Sequence, residues 1–156
     1  MDFVAPNRTW VEVNLDNIAH NYREFCRITN VNGRVVNVMC VIKANGYGHG
    51  ACELANRLIK EGCNFFGVAT LDEGIELRNY GISARILVFA HIIKDRILDA
   101  LEHDLIFTVY SKEIAKLLSD TAIKVNKKAI VHIKTDTGTE HSQPRGADRS
   151  FGRLGI

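Results

Sequence analysis

The chain has 156 residues, of which 46% are hydrophobic and 24% charged, with a formal net charge of +2. This is the composition of one soluble globular domain with enough apolar residues to bury a core. The near-balanced charge, without a long basic block, gives no electrostatic case for nucleic acid as a partner, and no apolar run reaches the roughly 18 residues of a membrane span.

The first predicted element is a helix, because Ile18, Tyr22, Phe25 and Cys26 recur at helical spacing after an N-cap at Asp16 or Asn17; it is expected to run to about Val31. Asn32-Gly33 turns the chain, and VVNVMCVIK, Val35 to Lys43, reads as a β-rich run buried on both faces of a parallel sheet. Ala51, Leu54, Ala55, Leu58 and Ile59 predict a second helix closed by Gly62, and FFGVA, Phe65 to Ala69, predicts the next strand. Leu71, Ile75 and Leu77 mark a helix stopped near Gly81, followed by a strand at Arg85 to Ala90 and a helix at Ile93 to Leu101. A strand at Leu105 to Tyr110, a helix at Ile114 to Leu118 and a strand at Ala129 to Lys134 continue the series.

Strand and helix alternate with short connections, which predicts an α/β fold with about five parallel strands. A doubly wound open sheet and an eight-stranded (β/α)8 barrel both satisfy this pattern, and periodicity alone leaves both open. After Lys134 the polar stretch TDTGTEHSQPRGADRSF has neither period and is expected to be a loop. Cys26, Cys40, Cys52 and Cys63 form no CxxC pair and are expected to be reduced packing residues. The first residues, MDFVAPNRTW, lack the charged-then-apolar order of a signal peptide, so a cytoplasmic location is expected.

The stretch VIKANGYGHG, Val41 to Gly50, closes an apolar run with a lysine and follows it with glycines at 46, 48 and 50. A phosphate-binding P-loop needs its lysine after the glycines, whereas Lys43 precedes them. A dinucleotide site would use the three glycines and Asp72 for a ribose, but the third glycine is one position early and Lys43 has no role in it. The third reading is covalent attachment of an aldehyde cofactor. A partly desolvated lysine at a strand's C-terminal end forms a Schiff base with pyridoxal phosphate, and Tyr47 supplies a hydroxyl for the phosphate. Asn45 and His49 are expected to shape the loop through local hydrogen bonds.

VIKANGYGHG resembles the pyridoxal-phosphate signature of the alanine racemase family. RTWVEVNLDNIAHNYREF, FFGVATLDEGIELRNYGI, RILVF and IKTDTG followed by GRLGI are similar to further stretches of that family in the same order. The resemblance implies a partial (β/α)8 TIM-like barrel with pyridoxal 5'-phosphate as cofactor, and a PLP-dependent racemisation of L-alanine to D-alanine for peptidoglycan synthesis. It implies that Lys43 forms the internal aldimine and serves as one of two proton-transferring bases. It further implies that Tyr47 holds the cofactor phosphate, Arg153 is directed at the cofactor's phenolic oxygen, and Lys134 is a carbamylation candidate paired with that arginine.

The family draws its opposite base, a tyrosine, from a C-terminal β-domain of the partner subunit in a homodimer. The chain is expected to be the N-terminal portion of such an enzyme, over residues 1–156, with the β-domain absent. It departs from the family pattern by the insert EHSQPRGADRSF between Thr139 and Gly152, which makes Arg145 a competitor for the role of Arg153. Two other classes stay open: a PLP-binding barrel of cofactor homeostasis without racemase activity, and an open-sheet nucleotide-binding module using Asp72. The substrate is an amino acid, alanine or serine.

Overall fold

A computed structural model describes residues 10–31 and 33–134 of the chain. Arg145, Arg153 and the loop expected after Lys134 lie outside the described residues. The elements run α1 (Leu15–Thr29), β1 (Cys40–Val41), a single helical turn α2 (Lys43–Tyr47), α3 (Ala51–Ile59), β2 (Phe65–Val68), α4 (Leu71–Asn79) and β3 (Arg85–Val88). A 3-10 turn (Lys94–Arg96), α5 (Ile97–Glu102), β4 (Ile106–Val109), α6 (Lys112–Lys124) and β5 (Val131–Ile133) complete them.

All four strand pairs are parallel, and the sheet order β1-β2-β3-β4-β5 follows the chain without a reversal. A doubly wound sheet would reverse its order at a switch point, so this order resolves the ambiguity in favour of a partial barrel. Strand alternation turns Phe66, Val68, Ile86 and Val88 toward the helices, where they form one buried cluster with Leu54, Leu58 and Leu77. Phe107 and Val109 form a second cluster with Ile97, Leu101, Ile114 and Leu118, and Leu71 of α4 packs against both. On the other face, Gly67 is required by packing, since a Cβ there would stand 2.5 Å from the ring of Phe89.

The N-terminal ends of the strands form a structural pole. The Arg78 guanidinium donates to the carbonyls of Ile82, Ala84, His103 and Asp104 and so ties α4 to the loops entering β3 and β4. Its burial lowers its pKa, yet four carbonyls satisfy four of its five donors.

Three expectations are corrected. The cap of α1 is Asn14, whose side chain accepts from the amides of Asp16 and Asn17, and the helix stops at Thr29 rather than Val31. The strand expected from Val35 to Lys43 is reduced to Cys40–Val41, because its only described neighbour, β2, begins at Phe65 and offers the earlier residues no ladder; Val35 is 85% exposed. The helix expected from Ile93 opens as a 3-10 turn and becomes α-helical at Ile97. The cysteines are free; Cys63 is buried in the core, Cys40 and Cys52 pack against it, and the Cys63 thiol donates to the Phe65 carbonyl at 3.4 Å. Among the described residues no helix is long and apolar enough to cross a membrane, and no cluster of side chains could hold a metal ion.

Candidate functional site

Beyond β1 the ladder continues for one residue, through the Ile42 amide to the Gly67 carbonyl, and then the backbone changes hand. Ala44, Asn45, Gly46, Tyr47 and Gly48 carry φ values of 51°, 51°, 64°, 55° and 86° in succession. This is a left-handed turn, which costs an L-residue roughly 1–2 kcal/mol at each non-glycine position, so it persists only where its surroundings hold it. Glycine at 46 is doubly required: its φ is positive and a Cβ would stand 2.5 Å from Leu54 Cδ1.

The holding contacts are local with one exception. The Gly46 amide donates to Ile42 at 2.8 Å, that of Gly48 to Ala44 at 3.1 Å and that of Gly50 to Asn45 at 3.0 Å. The Asn45 side-chain oxygen accepts from the Ala51 amide at 2.9 Å, and His49 Nδ1 bonds the Gly46 carbonyl at 2.8 Å. Asn45 and His49 thus shape the loop as expected. Because Asn45 takes the first amide of α3, that amide is not offered to an anion. The exception is Glu73, 29 residues on, whose Oε1 accepts from the Ala44 amide at 2.7 Å.

Glu73 is the residue that sequence reasoning missed, although its signal was present. Thr70-Leu71-Asp72-Glu73 has the T-x-x-E spacing of a capping box, and the box is formed. Glu73 Oε2 accepts from the amides of Ala69 (2.7 Å) and Thr70 (3.2 Å), while Thr70 Oγ1 accepts from that of Glu73 (3.3 Å).

The turn presents Lys43 half-buried, with Nζ 6.0 Å from the Tyr47 ring centroid, while the Tyr47 side chain is largely exposed. Among the described residues no carboxylate pairs with Lys43. Lys134 stands at the same C-terminal end of the sheet, its amide extending the ladder to Val109 at 2.8 Å. It is exposed, β5 having a described neighbour on one side only. Among the described residues no hydrogen bond joins it to Lys43 or Tyr47, and the described contact is the one between Lys43 and Tyr47. Asp72, the acid of the nucleotide reading, is engaged with Arg96 at 2.9 Å. A cavity of about 200 Å³ beside that pair, lined by Thr70, His91 and Thr108, does not include Lys43.

An amine without a carboxylate partner, one side-chain length from a phenol, fits a ligand carrying an aldehyde and a phosphate on neighbouring ring positions. A pyridoxal-phosphate site has this donor set.

Comparison with known proteins identifies the family. Residues 13–150 match the family model described as alanine racemase, N-terminal domain. The chain is 47% identical over 137 residues to alanine racemase 1 of Caldanaerobacter subterraneus, covering 88% of this chain and 34% of that protein. The solved alanine racemase of Clostridium difficile superposes with a TM-score of 0.80 at 37% identity, over 90% of this chain and 38% of that one. A histidine racemase of Leuconostoc mesenteroides superposes with a TM-score of 0.75 at 27% identity, over 90% and 37%. The chain therefore spans about a third of the length of the curated relatives it matches.

Proposed function

The chain belongs to the alanine racemase family, in the part described as its N-terminal domain, and from that premise we propose that Lys43 is the attachment point of pyridoxal 5'-phosphate in an amino-acid racemase. The observation that carries the reading is the left-handed turn after β1, which sets the Lys43 amine, without a carboxylate partner among the described residues, beside the exposed phenol of Tyr47. When bound, the cofactor supplies an electron sink that acidifies the α-proton of an amino acid.

The chain's own residues have distinct tasks. Lys43 Nζ would be the amine that holds the cofactor's aldehyde, and when freed by a substrate amine it would accept or deliver the proton at one face of the α-carbon, the second base serving the opposite face. Tyr47 donates its hydroxyl to the cofactor phosphate. Arg153 is assigned to the cofactor's phenolic oxygen, with Lys134, if carbamylated, as the anion that holds it. The opposite-face base comes from a partner subunit's β-domain in a homodimer, and residues 1–156 correspond to the N-terminal barrel portion.

L-alanine is the substrate of this proposal, and its D-product would feed peptidoglycan synthesis in a bacterial cytoplasm. The superposition on a histidine racemase supports the view that this part of the barrel serves amino-acid racemisation in general and leaves substrate choice to other parts. The test is an absorbance titration of the purified chain with pyridoxal phosphate beside Lys43→Ala. A visible band abolished by borohydride in the wild type only is expected; equal spectra from the two proteins contradict the assignment.

A further inference from the structure

We propose that Glu73 is a positioning residue for Lys43. The inference deepens the reading of Lys43 as the cofactor lysine and rests on it for its functional meaning. The geometry itself stands without it. Oε1 of the half-buried Glu73 carboxylate holds the Ala44 amide at 2.7 Å, and Oε2 holds those of Ala69 and Thr70 at 2.7 and 3.2 Å. One carboxylate thus clamps the loops that follow β1 and β2.

The Ala44 amide belongs to the peptide plane that begins at the Lys43 carbonyl, so fixing it fixes the ψ angle of Lys43 and with it the direction of the side chain. That plane is also the entry to the left-handed turn, whose first residue, Ala44, has no glycine freedom at φ 51°. A charge-assisted bond from outside the loop is the contact that the loop's own hydrogen bonds do not supply. Glu73 would therefore hold the amine where an aldehyde must meet it.

Glu73→Gln separates this role from helix capping. Glutamine serves the capping box as well as glutamate does. Its one carbonyl oxygen satisfies the two amides of Ala69 and Thr70, leaving its NH2 group opposite the Ala44 amide, donor against donor. Amide hydrogen exchange of the cofactor-free chain should show Ala44 exchanging about 10-fold faster in Glu73→Gln while α4 amides stay near their wild-type rates. Borohydride trapping of pyridoxal phosphate should show covalent fixation slowed by about the same factor.

Unchanged Ala44 exchange, or acceleration spread equally over α4, overturns the proposal by reducing Glu73 to a cap. Faster Ala44 exchange with an unchanged rate of trapping also overturns it, because the clamp then does not position the amine. If the wild type traps no cofactor, the Lys43 assignment falls by itself, and the exchange measurement still decides whether Glu73 holds the turn.

Discussion

At Gly46 two constraints meet, a positive φ and a Leu54 methyl 2.5 Å from where a Cβ would be. Gly46→Ala is expected to cost about 1–3 kcal/mol, from left-handed strain and overpacking together, read as a lowered thermal midpoint. Asn45→Ala loses the bond to the Ala51 amide and the tolerance of asparagine for φ 51°; a loss of about 1 kcal/mol in chemical unfolding is expected. The residues of this loop were legible in the sequence, since VIKANGYGHG singled out Lys43, Tyr47, Asn45 and His49. The hand of the loop was not. Hydrophobic period carries a strand straight through Lys43, whereas the turn is decided in part by Glu73, whose spacing signalled only a helix start.

Among the elements, α3 and α4 were placed well because each carries its own punctuation, whereas α6 runs from Lys112 to Lys124, beyond the expected Ile114 to Leu118. α3 ends before Gly62 at φ 91° and α4 before Gly81 at φ 93°, conformations that glycine adopts freely. Starts were harder. Asn14 lay outside the apolar pattern and was passed over for Asp16 or Asn17, although its β-region backbone is what a cap requires. The length of β1 was overestimated because an apolar run does not reveal where its neighbour begins. Thr70→Ala should test the capping box of α4: it removes the acceptor for the Glu73 amide and is expected to cost about 1 kcal/mol in thermal unfolding. Phe107→Ala, in the cluster joining β4 to α5 and α6, is expected to cost about 3–5 kcal/mol by the same measurement.

For the whole molecule, parallel strands in chain order place the stabilising contacts of Arg78 at one end of the sheet and the loops bearing Lys43 and Lys134 at the other. This is the division of labour expected of a barrel, with stability at the bottom and chemistry at the top. α1 is joined to α3 and its following turn by Arg23, Arg57, Asp16 and Glu61, and hydrogen bonds from Arg23 and then Arg57 hold the Glu61 carboxyl below its usual 4.5. A carboxyl depressed on folding contributes stability that is present above its unfolded pKa and is lost as pH falls through the folded value. The thermal midpoint is therefore expected to fall as pH is lowered from 5 through the range below about 4.5, and Glu61→Gln should flatten that fall.

The turn after β1 is proposed to present Lys43 to an aldehyde cofactor, and peptide mapping decides the matter. The wild-type chain would be incubated with pyridoxal phosphate, reduced with borohydride, digested and read by mass spectrometry. A phosphopyridoxyl group concentrated on Lys43, with surface lysines such as Lys124, Lys127 and Lys128 modified only at trace level, is the predicted result. Modification spread evenly over the lysines, or Lys43 left unmodified, would contradict it.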